Sequence, residues 1–235
     1  MNTQLDDKFK QIKGLAWLPW VGDKYFNILS ENRILIIGES YYGGGNDLAE
    51  KKIFFENVLK TREFVEEMGI EGINSGTRLF PNLHTTLFPN QLLKNDEEKR
   101  ERFWQLVSFY NFVQKPMLTS VDRPNDYDFC SGWLTFIELF KLLNPRICLF
   151  IGITSAKYFE NEVSNIPELK AAKIEWHNLE INGTYARYTT INLNNSISEL
   201  IFIKHTSKYY SPIKWNDFLK TKMSNQLQWL ENEII

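Results

Sequence analysis

Residues 33–47 read RILIIGESYYGGGND. The first six, RILIIG, form an apolar run rich in β-branched side chains, the length of a strand buried on both faces and too short for a helix. A Gly-Glu-Ser turn, two tyrosines and three glycines follow. Three further runs share this texture: SFYNFVQ at 108–114, RICLFIG at 146–152 and ELIFIKH at 199–205. Between the first three runs lie the helical patterns KKIFFENVLKTREFVEEM (51–68), NDEEKRERFWQLVSF (95–109) and FCSGWLTFIELFKLLNP (129–145), each with apolar residues three and four apart. Asn95 with Glu98 predicts a capping box for the second helix, and Pro145 predicts the stop of the third. Strands alternating with helices need crossover connections, which place a parallel sheet between two helical layers.

The texture changes at 173–193, KIEWHNLEINGTYARYTTINL, where period-two stretches flank Asn182-Gly183 and predict a hairpin at one edge of the sheet. An amphipathic helix over 213–234 closes the chain. The expected fold is one α/β domain spanning residues 1–235: a three-layer α/β/α arrangement with a central four-stranded, mainly parallel sheet and an antiparallel edge hairpin.

Composition narrows the function classes. The 235 residues are 43% hydrophobic and 24% charged, enough apolar material for a sizeable core. No stretch approaches the roughly 18 apolar residues that span a bilayer, and MNTQLDDKFKQIKG lacks the apolar run of a signal peptide, so a cytoplasmic protein without membrane contact is expected. Cys130 and Cys148 are too few for a disulfide framework or a four-cysteine metal or iron–sulfur site; both are expected to be small buried apolar residues, and no cofactor is expected. Lys plus Arg number 27 against 29 Asp plus Glu, so any contact with nucleic acid must be a local basic patch.

Ligands of open parallel sheets bind outside the carboxyl ends of the strands. That rule selects Gly38 to Gly45, Asn111 to Lys115, Gly152 to Thr154 and His205 to Tyr210, four loops expected to converge on one crevice. Three chemistries compete for the first loop. A triphosphate-binding loop needs Lys and a hydroxyl residue where Gly44 and Gly45 stand, and the dinucleotide fingerprint needs Gly at Ser40, so both fail. A serine esterase, in which Ser40 attacks and His205 is the base, resembles the Gly-Asp-Ser lipase and esterase block, but Phe202 occupies the place of the orienting acid. Hydrolysis of an N-glycosidic bond needs a reader of the base edge, a wall for the ring, a donor to the departing base anion and a positioned water. Asn111, Tyr42, His205 and Glu39 offer those four parts in that order.

This constellation resembles the uracil-DNA glycosylase superfamily. IGESYYG stands where that family carries its first-strand loop, FYNFVQKP resembles the second strand with its base-reading Asn, KHTSKYYSP resembles the His-Pro-Ser loop, and LNPRICLFIGITSAKYF resembles the strand-Gly-helix segment. The similarity covers about Arg33 to Tyr210. It implies that Asn111 reads the base, Tyr42 with Gly38 lines the pocket, His205 stabilises the leaving base, Ser207 holds phosphate and Tyr209 wedges into the stack of a DNA, single- or double-stranded, whose base is extruded. Lys204, Lys208 and Lys214 supply the local positive charge. A monomer without cofactor or metal is implied.

Two positions depart from the family: Ser40 replaces a water-activating Asp, leaving Glu39 as the neighbouring carboxylate, and Thr206 replaces Pro. A non-catalytic nucleic-acid or nucleotide-binding module on the same fold is therefore a second expectation, and the Ser40 esterase a third. Gly43 to Gly45 read equally as a surface turn, NDEEKRER as a solvated first helical turn, and His84 and His177 have no partners at ligand spacing. Arg123-Pro124 is expected to shape the long loop after Asn111.

Overall fold

The computed structural model describes residues 1–42, 53, 56–73, 78–117, 122–163, 166, 169–171, 175–181, 183–193, 196–207 and 209–235. Its strands are β1 (Trp20–Val21), β2 (Ile34–Gly38), β3 (Tyr41–Tyr42), β4 (Ser108–Asn111), β5 (Pro116–Met117), β6 (Ile147–Ile151), β7 (Leu169–Ala171), β8 (Glu175–Ile181), β9 (Thr184–Leu193) and β10 (Ser196–Ile203). Its helices are α1 (Asp6–Phe9), α2 (Lys60–Phe64), α3 (Leu79–Leu87), α4 (Glu97–Leu106), α5 (Asp126–Leu143), α6 (Phe159–Val163) and α7 (Pro212–Ile234); a π turn, Val65–Ile70, continues α2. No described helix is long and apolar enough to cross a membrane.

The four apolar runs become β2, β4, β6 and β10, and these are neighbours in the order β4-β2-β6-β10, all parallel. The sheet is wider than the expected four strands. Across it runs the order β1-β4-β2-β6-β10-β9-β7, seven positions, with β8 also on β9. The added strands are antiparallel to their neighbours: β1 on β4, β9 on β10, and β7 and β8 on β9. Part of the extra width is the expected edge hairpin of β8 and β9, which joins the core sheet through a seven-residue ladder between β9 and β10; the rest is Trp20–Val21 and Leu169–Ala171, too short to leave a periodic trace.

Alternate residues of the core strands feed two separate cores, as the pleat requires. Ile34, Ile36, Phe109, Leu149 and Ile201 face α3, α4 and α7, while Leu35, Ile37, Tyr110, Phe150 and Phe202 face α5. Every one of these side chains is essentially inaccessible, so each stabilises the fold by about 1.5–3 kcal/mol relative to exposure. Cys148 is buried in the second core and Cys130 is partly buried at its edge. Both cysteines are free thiols.

Local signals explain the helix ends. α5 opens on a reciprocal capping box of Asn125 and Asp128, and it stops at Asn144, in the left-handed conformation (φ 45°), directly before Pro145. For α4 the cap is one residue later than expected: Asp96, not Asn95, accepts from the Lys99 N–H at 3.0 Å. Asn95 instead takes φ +55°, which its side chain tolerates better than most. α3 has no counterpart in the sequence expectations, because Pro81 interrupts its pattern; in the first turn, where no backbone N–H is required, that proline is harmless.

The chain leaves β2 for β4 on one side and reaches β6 on the other, so Gly38 has Asn111 and Ile151 as its two lateral neighbours. A reversal of strand order of this kind opens a crevice at the carboxyl ends.

Candidate functional site

Asn111 ends β4 with its side chain lying across the end of β2. A Cβ at position 38 would fall 2.0 Å from Asn111 Oδ1, so Gly38 is the residue that admits the carboxamide. Pairing continues past both strands: Phe112 N–H donates to Gly38 O at 2.8 Å and Val113 N–H to Glu39 O at 2.9 Å. Gln114 then locks the turn, donating to Asn111 O at 2.5 Å and accepting from the Ala16 and Trp17 amides at 3.1 and 3.0 Å. Asn111 is 2% exposed.

A cleft of about 400 Å³ opens beside this carboxamide, and Glu39, Ser40, Tyr42, Asn111 and His205 all line it. Thus five sequence-predicted residues, contributed by three separate loops, meet in one place. The other three do not line it. Gly38 lies beneath Asn111, Ser207 is exposed with its N–H donating to His205 O at 2.8 Å, and Tyr209 is 87% exposed with φ +55°. Gly43 to Gly45 and Lys208 lie outside the described residues.

Glu39 faces the loop after β6. A Cβ on Gly152 (φ +144°) would sit 2.8 Å from Glu39 Oε2, so this loop too reaches the crevice. Burial raises the Glu39 pKa above the ordinary carboxylate value, while a hydrogen bond from the Thr154 side chain and the charge of Arg123 oppose the rise. Ser40 Oγ is buried and has no hydrogen-bond partner among the described residues, His205 included.

His205 follows β10. Burial, helped by the positive charge of Arg123, pulls its pKa down to about 4, so the ring is neutral at pH 7 and carries one N–H. Where the resembling family has a proline, Thr206 holds the loop by hydrogen bonds instead. Its hydroxyl donates to Leu79 O at 3.0 Å and its carbonyl accepts from Asn82 Nδ2 at 2.7 Å, both on α3. The same helix steadies the loop further along, where Thr86 and Tyr210 share a hydroxyl bond of 2.9 Å and Tyr210 stacks on Trp215.

The two tyrosines of β3 divide, as successive strand residues do. Tyr41 is buried edge-on between Trp17 and Phe64, with ring centroids at 5.2 and 5.3 Å. Tyr42 is 38% exposed, and the Arg123 guanidinium lies 5.8 Å over its ring. Arg123 therefore sits at the mouth of the cleft, where its charge acts on Glu39 and on His205.

Comparison with protein-family models and with curated proteins finds no match.

The remaining wall came from a region with no functional signal in sequence. Lys60, Phe64, Glu67 and Met68 of α2 and its π turn, with Leu79 of α3, complete the lining. Phe64 and Met68 belong to the apolar spacing of 51–68, but nothing local showed that the crossover between β2 and β4 passes over the crevice. Glu67 is the second carboxylate of the cleft and is exposed. His84 is buried in an aromatic setting, stacked on Phe80 and edge-on to Phe103 and Trp104. His177 lies on β8.

Proposed function

We propose that this protein is a uracil-DNA glycosylase-like enzyme, which recognises a nucleobase extruded from DNA and hydrolyses its N-glycosidic bond. The observation that carries the reading is the meeting of Asn111 and His205 in one cleft, although 94 residues separate them in the chain. The α/β arrangement with a crevice at the strand ends supports it, as does the size of the cleft, which suits one base and its sugar.

The chemistry follows from the protonation states. Asn111 presents donor and acceptor together to one edge of a pyrimidine, and Tyr42 supplies a face for the ring. As the glycosidic bond lengthens, negative charge grows on the base and positive charge on the sugar. A neutral His205 can place its single N–H on the developing oxyanion without a prior proton transfer, the form in which an imidazole serves as an electrophile. Water must approach the sugar from the other side, and the carboxylates able to orient it are Glu39 and Glu67. Ser40, in the place of the family's Asp, contributes a hydroxyl that is a poor base at neutral pH.

That serine favours a second reading, a non-catalytic base-binding module on the same fold. One gel assay separates the two. Oligonucleotides carrying uracil, hypoxanthine or a mismatch are incubated with the protein and cleaved at abasic sites. Strand breaks at the modified base support the enzyme; retained binding with no break for any substrate supports the module. Ser40→Asp should raise abasic-site formation by about tenfold or more, in the range expected of a positioned general base. A Ser40 esterase has the least support, since Ser40 Oγ bonds no base among the described residues; hydrolysis of an acyl ester lost in Ser40→Ala would restore it.

A further inference from the structure

A second cavity, of about 380 Å³, opens on another face of α3. Leu79 faces the cleft already described, whereas Asn82 and Thr85 of the same helix line this one, together with Gln91, Lys94 and Asn95 of the following segment and Arg100 of α4. Among the described residues, none of its lining side chains is acidic. In a protein with more acidic than basic residues, a pocket with two cations and no carboxylate is a local inversion of charge.

Arg100 is held in place before any ligand arrives. Its Nε donates to Ile70 O at 2.6 Å, and its two terminal nitrogens donate to Leu93 O at 3.3 Å and Glu71 O at 3.2 Å. Those bonds use three of the five guanidinium donors, leaving two with no partner among the described residues. Gly72 (φ +75°) lies flat against the group; a Cβ there would be 3.2 Å from Nη2. Asp96, whose carboxyl feels Arg100, is engaged by the amide and ammonium of Lys99. A cation immobilised by carbonyls loses little side-chain entropy when it binds an anion.

The rest of the lining suits an organic group. Asn82, Gln91 and Asn95 bring carboxamides, able to donate and accept, and Met68, Pro81 and Leu93 bring apolar surface. His84, 7% exposed, adds a ring whose Nε2 has no hydrogen-bond partner among the described residues. Gln91 is held at φ +58°, a left-handed conformation that non-glycine residues seldom adopt.

We infer that this cavity is a second ligand site, for a mononucleotide: Arg100 and Lys94 take its phosphate, the carboxamides its base edge, and Met68 its ring. The site is independent of the glycosylase reading, but it adjoins the cleft. Met68 lines both cavities, and Asn82 borders one while bonding Thr206, the neighbour of His205, in the other.

The test is a titration of the full chain with deoxythymidine monophosphate, followed by amide chemical shifts and by calorimetry. Saturable binding is expected, with shifts at Gln91, Lys94 and Asn95 and competition by inorganic phosphate. Lys94 is exposed, so Lys94→Glu should fold normally and weaken binding at least tenfold. Absence of saturation, or binding lost in Asn111→Ala and kept in Lys94→Glu, overturns the inference; the second outcome places the nucleotide in the cleft and leaves the glycosylase reading intact.

Discussion

The two opposed walls of the cleft are built by different means. On the Asn111 side, the residue ends a strand whose backbone ladder runs on past it to Val113, and its side chain rests on a glycine in the neighbouring strand. On the His205 side, the residue stands beyond the last strand, in a loop that side-chain hydrogen bonds from α3 hold in place. Backbone pairing uses donors and acceptors that every residue but proline carries, so it tolerates almost any side chain. Side-chain brackets depend on particular residues, each worth about 1 kcal/mol, and they can be loosened one at a time.

Substitutions at the two walls should therefore fail in different ways. The largest effect is expected from His205→Ala, which removes the proposed donor to the leaving base: single-turnover cleavage should fall by about 10²- to 10³-fold, with oligonucleotide affinity nearly unchanged. A parallel loss of affinity would move His205 from the chemistry to ground-state binding. Gly38→Ala comes next. Its methyl would meet Asn111 Oδ1 at 2.0 Å, so a loss of stability of about 1–3 kcal/mol in urea denaturation is expected, together with loss of base discrimination. Preserved discrimination there would show that the Asn111 carboxamide is free to find another seat.

Thr206→Val tests the bracket alone. The hydroxyl bond to Leu79 O is lost while volume is nearly conserved, so about 1 kcal/mol of stability should go, and cleavage should fall less than in His205→Ala. The smallest effect at neutral pH is expected from His84→Phe, and it appears in acid. Burial lowers the His84 pKa to about 3, with Arg100 adding to the effect, so the unfolded chain binds this proton before the folded one does. His205, at about 4, behaves alike. A depressed histidine adds stability that is full above the unfolded value near 6.5 and is lost as pH falls towards the folded value. Thermal midpoints of the wild type should thus drop between about pH 6.5 and 3, and His84→Phe should flatten that slope. An unchanged slope would show that α3 does not carry the acid sensitivity of the His205 wall.

What could be read in advance followed the same division. The four core strands were legible because a strand buried on both faces must be apolar throughout, and Pro145 marked the end of α5 because it cannot continue a helix. Asn111, Glu39, Ser40, Tyr42 and His205 were legible as a group, since the carboxyl-end rule points to the residues directly after those strands. The full width of the sheet was not: the hairpin expected at one edge is there, but β1 and β7, of two and three residues, are too short to show a period. Nor was the far wall of the cleft. Lys60 and Glu67 look like ordinary surface charges until the crossover that carries them is laid over the crevice.

By itself, then, the order of residues determined which segments are buried strands, where several helices stop, and which loops share the carboxyl end of the sheet, because these depend on local pattern and on the period of the backbone. Tertiary structure alone decided that the Asn111 carboxamide lies over Gly38, that Thr206 is bonded to α3, that His205 is buried enough to stay neutral, and that α3 parts two cavities. Those are consequences of contacts between residues far apart in the chain, and burial, the common cause behind them, has no value until the chain has folded.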